Sequence, residues 1–352
     1  MNRILIMALV VLLPAMMQAC KGDKNGKGKA SAEAQSAQPE QLANVAFLKS
    51  LDLDLSRVAI GATFDTKFLL TEEGEKKRVQ LNEHQIDALL DDAPVDFDDE
   101  CAVPFIVGAK AFGKHVMLVF RIETGDGAEL IFSTYNQAGK MVDFVATASW
   151  ESTFLWDGEV VGGQPVSYDS CHATFSNQAF TFHRKVGRHA GGVVQWEQQR
   201  TYAYQVGANG KITLSKVDVK AVKGAPSGQY SDPLPEMLQI RDLSYYPYSD
   251  TNVLAAFNEI AKTHFNNANL KETLMSEMFR LYNSHKDQVL LYIDNHPNSA
   301  MTGVLHECVK QSWLPKEELY DDIDDLHNSA QKARLMQLTA QWGPDGAVGY
   351  RL

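Results

Sequence analysis

The chain has 352 residues, 45% of them hydrophobic, with 44 acidic against 33 basic side chains and a formal net charge of −11. That length and apolar content suit two domains with cores of their own. The acidity argues against nucleic acid as a partner, since phosphate binding needs a clustered basic face, and leaves small molecules, glycans and proteins.

The chain opens as an export signal. Arg3 supplies a positive charge, Ile4 to Leu13 an apolar run too short to span a bilayer, and Met17-Gln18-Ala19-Cys20 a candidate cleavage box. The reading predicts removal of residues 1–19 and lipidation at Cys20, which would tie the protein to a membrane of the bacterial cell envelope. Stable anchoring takes more than one acyl chain, a condition that a lipoprotein-type Cys meets. Residues 20–41 are rich in Lys, Gly, Ala, Ser and Gln and cannot build a core, so they read as a tether. No other segment approaches the length of a transmembrane helix.

Residues 42–222 carry period-two signals. Asn82 is a good N-cap for one helix with Ile86, Leu89 and Leu90 on its stripe. Val116, Leu118, Phe120 and Ile122 then alternate with Met117, Val119 and Arg121, and turns are expected at 125–127 and 136–140. Further strands are expected near 164–175, 179–186, 193–206 and 212–222, the last two joined by Asn209-Gly210, with positive φ expected at both central turn positions. Hairpins in sequence make an antiparallel meander that must close into a barrel or stack as a sandwich to hide its apolar face.

From 223 to 250 the periodicity stops. Pro226, Pro233, Pro235 and Pro247 mark a strap, and Tyr230, Tyr245, Tyr246 and Tyr248 make it aromatic enough to expect docking on a neighbour. Over 251–342 the period becomes 3.6. Leu254, Phe257 and Ala261 open a first helix, and an Asn269/Glu272 capping pair begins a second with Leu270, Leu274, Met278 and Leu281. Shorter helices follow around Val289–Ile293, Met301–Cys308 and Leu319–Leu326, and Ser329 caps the last. Residues 343–352 form a tail. The expected class is α+β, an antiparallel β meander followed by a helical bundle.

The stretch from about 286 to 342 resembles the helical insert of thioredoxin-like Bacteroidetes lipoproteins. The resemblance rests on Tyr292 to Ser299, Leu314 to Tyr320 and His327-Asn328-Ser329, and the β half, through Ser133 to Asn136 and Gly139 to Asp143, looks like meanders of lipoproteins from the same bacterial group. In that family the helices precede a thioredoxin domain carrying CxxC. Only ten residues follow the last helix here, so the resemblance implies architecture and lineage without the family's redox activity.

Candidate chemistry is sparse. The four cysteines are Cys20, Cys101, Cys171 and Cys308, with no CxxC. Cys308 sits on an apolar stripe and reads as a small hydrophobe, whereas Cys101 and Cys171 lie in the β half, where export permits a disulfide. His172, His183 and His189 cluster in sequence, with His183 and His189 flanking an expected turn over 184–192; surface histidines are preferred over a metal site. The acidic run from Asp91 to Glu100 lacks the glycine of an EF-hand and reads as a solvated loop. Trp150, Trp156 and Trp196 read as core, the last because it shares strand parity with Val194. GxSxG, SxxK, HExxH and Gly-rich phosphate loops are absent from the sequence. Asp321, Asp322, Asp324 and Asp325 crowd one helix beside the stripe Leu319, Ile323 and Leu326, and read as its wet face and a candidate protein-contact patch.

These observations favour a non-enzymatic, membrane-anchored envelope lipoprotein presenting a surface to a protein or glycan partner, with no cofactor, metal or catalytic residue expected. Two alternatives stand beside it: an accessory or degenerate component of a thiol-redox system, and an enzyme with an interdomain active site.

Overall fold

A computed structural model describes residues 42, 45–58, 63–65, 72–91, 103–124, 127–146, 166–190, 193–226 and 233–343. Cys20, Cys101, Trp150, Trp156, the acidic run beyond Asp91 and most of the C-terminal tail lie outside the described residues, as does the side chain of Cys171.

The β half is two five-stranded antiparallel sheets, so the meander stacks as a sandwich. The first sheet runs in chain order: β2 (Val79–Gln80), β3 (Val103–Phe112), β4 (His115–Thr124), β5 (Gly127–Tyr135) and β6 (Met141–Ala146). The second begins with the short β1 (Thr63–Asp65) and continues with β7 (Val166–Phe175), β8 (Ala179–Ala190), β9 (Val193–Val206) and β10 (Ile212–Lys223). Between the sheets Phe132 lies 5.3 Å from Phe180 and 5.9 Å from Phe182, ring centre to ring centre, among Met117, Val119, Tyr202 and Tyr204. The opposite face of the first sheet, with Leu118, Phe120 and Tyr135, packs on α1 (Ala46–Ser50) and α3 (Glu83–Leu90) through Phe47, Leu48, Leu89 and Leu90. The four-residue α2 (Glu72–Glu75) precedes β2. Asn82 caps α3 as expected, and a Gln85 side chain returning to the Asn82 N–H completes a capping box.

The sheets are fastened at one corner. Asp143 of β6, 1% exposed, accepts hydrogen bonds from Ile212 N at 2.8 Å, Ser249 N at 3.0 Å and Ser249 Oγ at 2.7 Å. Thr134 Oγ1 donates to the Gly210 carbonyl at 2.7 Å. In the β9–β10 turn Gly210 takes φ +82°, but Asn209 does not adopt positive φ. Its side chain instead accepts the Lys211 N–H at 3.2 Å, an Asx-type closure in place of the expected two-residue turn.

The strap is docked and partly helical. Pro235 occupies the first turn of α4 (Pro235–Arg241), and a 3₁₀ turn, Asp242–Tyr245, follows. Tyr245 stacks on Tyr202 at 4.1 Å and accepts from Tyr204 Oη through its carbonyl at 2.8 Å. Tyr248 stacks on Phe144 at 4.8 Å, and its carbonyl accepts from His285 Nε2 at 2.7 Å.

The helical half comprises α5 (Asn252–His264), α6 (Ala268–Ser284), α7 (Lys286–Asn295), α8 (Ala300–Lys310), α9 (Lys316–Asp324) and α10 (Ser329–Thr339). Their stripes meet in one core that includes Phe257, Leu274, Met278, Leu305 and Ile323. Two caps differ from expectation. Asn267 rather than Asn269 opens α6, accepting the Asn269 N–H, and Asn328 rather than Ser329 opens α10, accepting from Ala330 N and Gln331 N. In both, the residue one or two places upstream has the extended backbone that aims an Asn carbonyl at the first free N–H groups.

Candidate functional site

The inner face of the second sheet is longer than the sandwich core. Phe180 and Phe182 of β8 and Tyr204 of β9 meet the first sheet, but further along the same strands the inward residues are Arg184, directly opposite Arg200. Two buried guanidiniums on neighbouring strands repel unless an anion intervenes. The strap supplies it. Arg200 Nε donates to Asp242 Oδ1 at 2.7 Å, and its Nη2 to Oδ2 completes a bidentate pair. Tyr202 Oη also donates to Asp242, and Arg200 Nη1 donates to Gln198 Oε1 at 3.0 Å. Burial works against the charge of Arg200, but the Asp242 carboxylate outweighs it and raises the guanidinium pKa; burial, then Asp242, pushes the Tyr202 phenol up. Arg184 places its guanidinium 5.4 Å from the Tyr245 ring centre. This cluster fastens sheet to strap.

Above it lies a groove of about 520 Å³ between sheet and helices. Val217 and Val219 of β10 form one wall, Ala256, Glu259 and Ile260 of α5 the other, and Arg200 with Asp242 the floor. The valines are 36% and 52% exposed. β10 is the last strand of its sheet, paired to β9 along one edge. Its inward residues Val217, Val219 and Ala221 lie opposite Tyr202, Arg200 and Gln198, whereas Lys216, Asp218 and Lys220 point to the outer face. A strand edge with an apolar inner face can accept another extended chain by backbone hydrogen bonding. The alternation of the sequence marks β10 but nothing in it marks the groove. The Val-Asp-Val-Lys alternation after Asn209-Gly210 was the available signal, and α5 as the facing wall had none.

The aspartates chosen from sequence divide. Asp321 and Asp325 are exposed, and Asp324 pairs with Lys332 at 2.6 Å. Asp322 turns inward, accepting from Tyr282 Oη at 2.7 Å and Lys286 Nζ at 2.7 Å, so it belongs to helix packing rather than to the wet face. Cys308 is fully buried, and burial raises its thiol pKa to about 12, which keeps it protonated and unreactive. His183 does not flank a turn: β8 continues to Ala190, and His183 pairs with His172 in mid-strand. Trp196 is buried against Val186 and Leu238. A bulge between it and Val194 breaks the shared parity, so its burial comes from α4.

Among the described residues, no group of three His, Cys, Asp or Glu side chains is gathered to hold a metal, and no helix is long and apolar enough to cross a membrane. No protein-family model, curated protein or solved structure matches the chain.

Proposed function

We propose that this protein is a non-enzymatic envelope lipoprotein, anchored through Cys20, that binds an extended segment of a partner protein along β10. The observation that carries the reading is the groove: a strand edge without a neighbouring strand among the described residues, whose exposed valines line the groove opposite α5. The partner segment alternates apolar residues, directed at Val217 and Val219, with acidic ones near Lys216 and Lys220. Those two lysines flank the single Asp218, which pairs with Lys216 at 2.7 Å, so the strand's outer edge keeps a net positive charge. The charged groups around the groove are engaged with one another, Arg200 with Asp242 and Glu259 with Lys262 at 2.6 Å, which favours binding over catalysis at this junction.

A photo-crosslinking residue at Val219 in the intact lipoprotein tests the reading. The expected result is one crosslinked protein that binds the purified chain directly and loses binding on Val217→Lys with Val219→Lys. A partner that binds this double variant as tightly as the wild type overturns the strand-edge assignment. For the anchor, Cys20→Ser is expected to release the chain from membranes; unchanged fractionation and processing overturn it.

A further inference from the structure

The edge of β10 is matched to itself. Of the six large hydrophobic side chains exposed among the described residues, Val217, Val219 and Val222 lie on this strand. Bulges between Leu214 and Lys216 and between Ala221 and Lys223 bound a regular run from Lys216 to Ala221. The direction of its free backbone groups follows from β9. Val206 donates its N–H to the Gln178 carbonyl, on the β8 side, so by alternation Tyr202, Arg200 and Gln198 also turn theirs toward β8. Val217, Val219 and Ala221 lie opposite those three. Their N–H and C=O groups therefore point away from β9, to the side where no strand is paired among the described residues. We propose that two copies of this chain pair through their β10 strands, antiparallel and with a two-fold axis at Val219, and that this pairing covers the edge until a partner segment displaces it. The proposal rests on the strand-edge reading above and adds its regulation.

Charge and the bulges choose the register. Residues that face each other across an antiparallel pair share a face of the sheet, so a two-fold axis passes through a residue that meets its own copy. An axis at Val219 sets Val219 against itself and Val217 against Ala221 of the second copy, in pairs that exchange backbone hydrogen bonds. Between them it sets Asp218 against Lys220 of the second copy, twice over, in the closer pairs where side chains meet best. An axis at Lys216, Asp218 or Lys220 sets like charge on like, and an axis at Val217 or Ala221 draws a bulge into the pairing. Exposed ion pairs add little affinity but discriminate well between registers, so the backbone bonds and the valines carry the association. The same charges make the cover displaceable. Each strand brings Lys216 and Lys220 but only Asp218 to the run, so Lys216 of each copy has no acid across from it. A segment with acidic residues facing both lysines outcompetes the second copy.

The test is sedimentation equilibrium of the full-length chain in density-matched nonionic detergent over a range of concentrations. The wild type should approach the mass of two chains. Asp218→Lys and Lys220→Asp should each raise the dimer dissociation constant by about tenfold, with far-UV circular dichroism unchanged. Their equimolar mixture, and the double variant, should return to the wild-type value, because both restore Lys against Asp at each pair. Lys216→Asp should not weaken the dimer. A wild type that stays monomeric throughout, or a mixture that does not recover, overturns the pairing; a dimer weakened by Lys216→Asp but not by Lys220→Asp overturns the axis at Val219. With the photo-crosslinking residue at Val219, the wild type should give a self-crosslinked band beside the partner's. Asp218→Lys should lose the first and gain in the second; loss of both overturns the displacement. A monomeric wild type that still captures a partner at Val219 overturns the dimer and spares the strand-edge reading, and a dimer that captures only itself does the reverse.

Discussion

The two sheets of the sandwich share an interface and differ on their far sides. The first is covered twice: Val116 to Ile122 of β4 are each no more than 6% exposed, because Met117 and Val119 meet the second sheet while Leu118 and Phe120 meet α1 and α3. Among the described residues the second is covered once: Thr181, His183 and Lys185 of β8 are half-buried on its far side, and nearly all of β10 is exposed. Strands buried on both faces read as continuous apolar runs, and half-buried strands alternate. The difference teaches where function can sit. A doubly covered sheet has no free face, so the groove at β10 belongs to the second sheet.

If both faces of the first sheet are core, truncating either should cost alike. Phe132→Ala, between the sheets, and Phe120→Ala, under the helices, should each destabilise by about 3–5 kcal/mol in urea denaturation, the usual cost of emptying a buried aromatic site. A loss at Phe120 far smaller than at Phe132 would reduce α1 and α3 to a loose cover and erase the contrast between the sheets.

The second sheet compensates at its strap end with a buried ion pair. Asp242→Ala leaves Arg200, 3% exposed and directly opposite Arg184, without the carboxylate to which it donates, and should cost about 3 kcal/mol. Replacing the pair together, Asp242→Leu with Arg200→Met, should recover most of that. Recovery would show that the cluster fixes where the strap docks more than it adds stability; a double variant as unstable as Asp242→Ala would give the pair a net stabilising role.

A smaller effect joins the sandwich to the helices through His285, 4% exposed, whose Nε2 meets the Tyr248 carbonyl and whose Nδ1 lies 2.8 Å from Ser284 Oγ. Burial lowers its pKa below the ordinary 6.5, with the Tyr248 bond opposing the shift. The unfolded chain therefore binds the proton more readily, so stability is fully present above about pH 6.5 and is lost as pH falls toward the depressed folded value. His183 shifts in the same direction and adds to the slope. Thermal unfolding from pH 7.5 to 5.5 should fall less steeply in His285→Gln than in the wild type; parallel curves would remove His285 from the account.

The class and the element order were legible because they depend on local periods: alternation in β4 and β9, the i, i+3, i+4 stripes of α5 to α8, and Gly210 at a turn. What was hidden depends on partners distant in sequence. Three residues, Thr63–Asp65, give no strand signal, yet they extend the second sheet by pairing with β7, more than a hundred positions on. Pro235 reads as a breaker but begins α4, since a proline's missing N–H costs nothing in a first turn. Asp322 reads as wet because a helix face is inferred from its own stripe, whereas Tyr282 and Lys286 come from neighbouring helices. The groove needed the second sheet, the strap and α5 together.

The smallest expected effect is the sharpest test of the asymmetry. Gln199 is exposed on the outer face of β9, between Lys185 and Lys220 on the adjoining strands. Leu118 occupies the corresponding outer face of the first sheet and is fully buried. Gln199→Ala removes no buried area and no hydrogen-bonded partner that holds the fold, so it should move stability by less than about 0.5 kcal/mol. Leu118→Ala, a truncation to the same side chain, should cost about 2–5 kcal/mol because α1 and α3 close over it. Both are measured by the same urea titration. A loss above about 1 kcal/mol at Gln199 would mean that the outer face of the second sheet is also covered, by a part of the chain or by a second copy. Repeating the titration over a range of protein concentrations separates those two, because only the second makes the loss disappear once dilution leaves the chain monomeric.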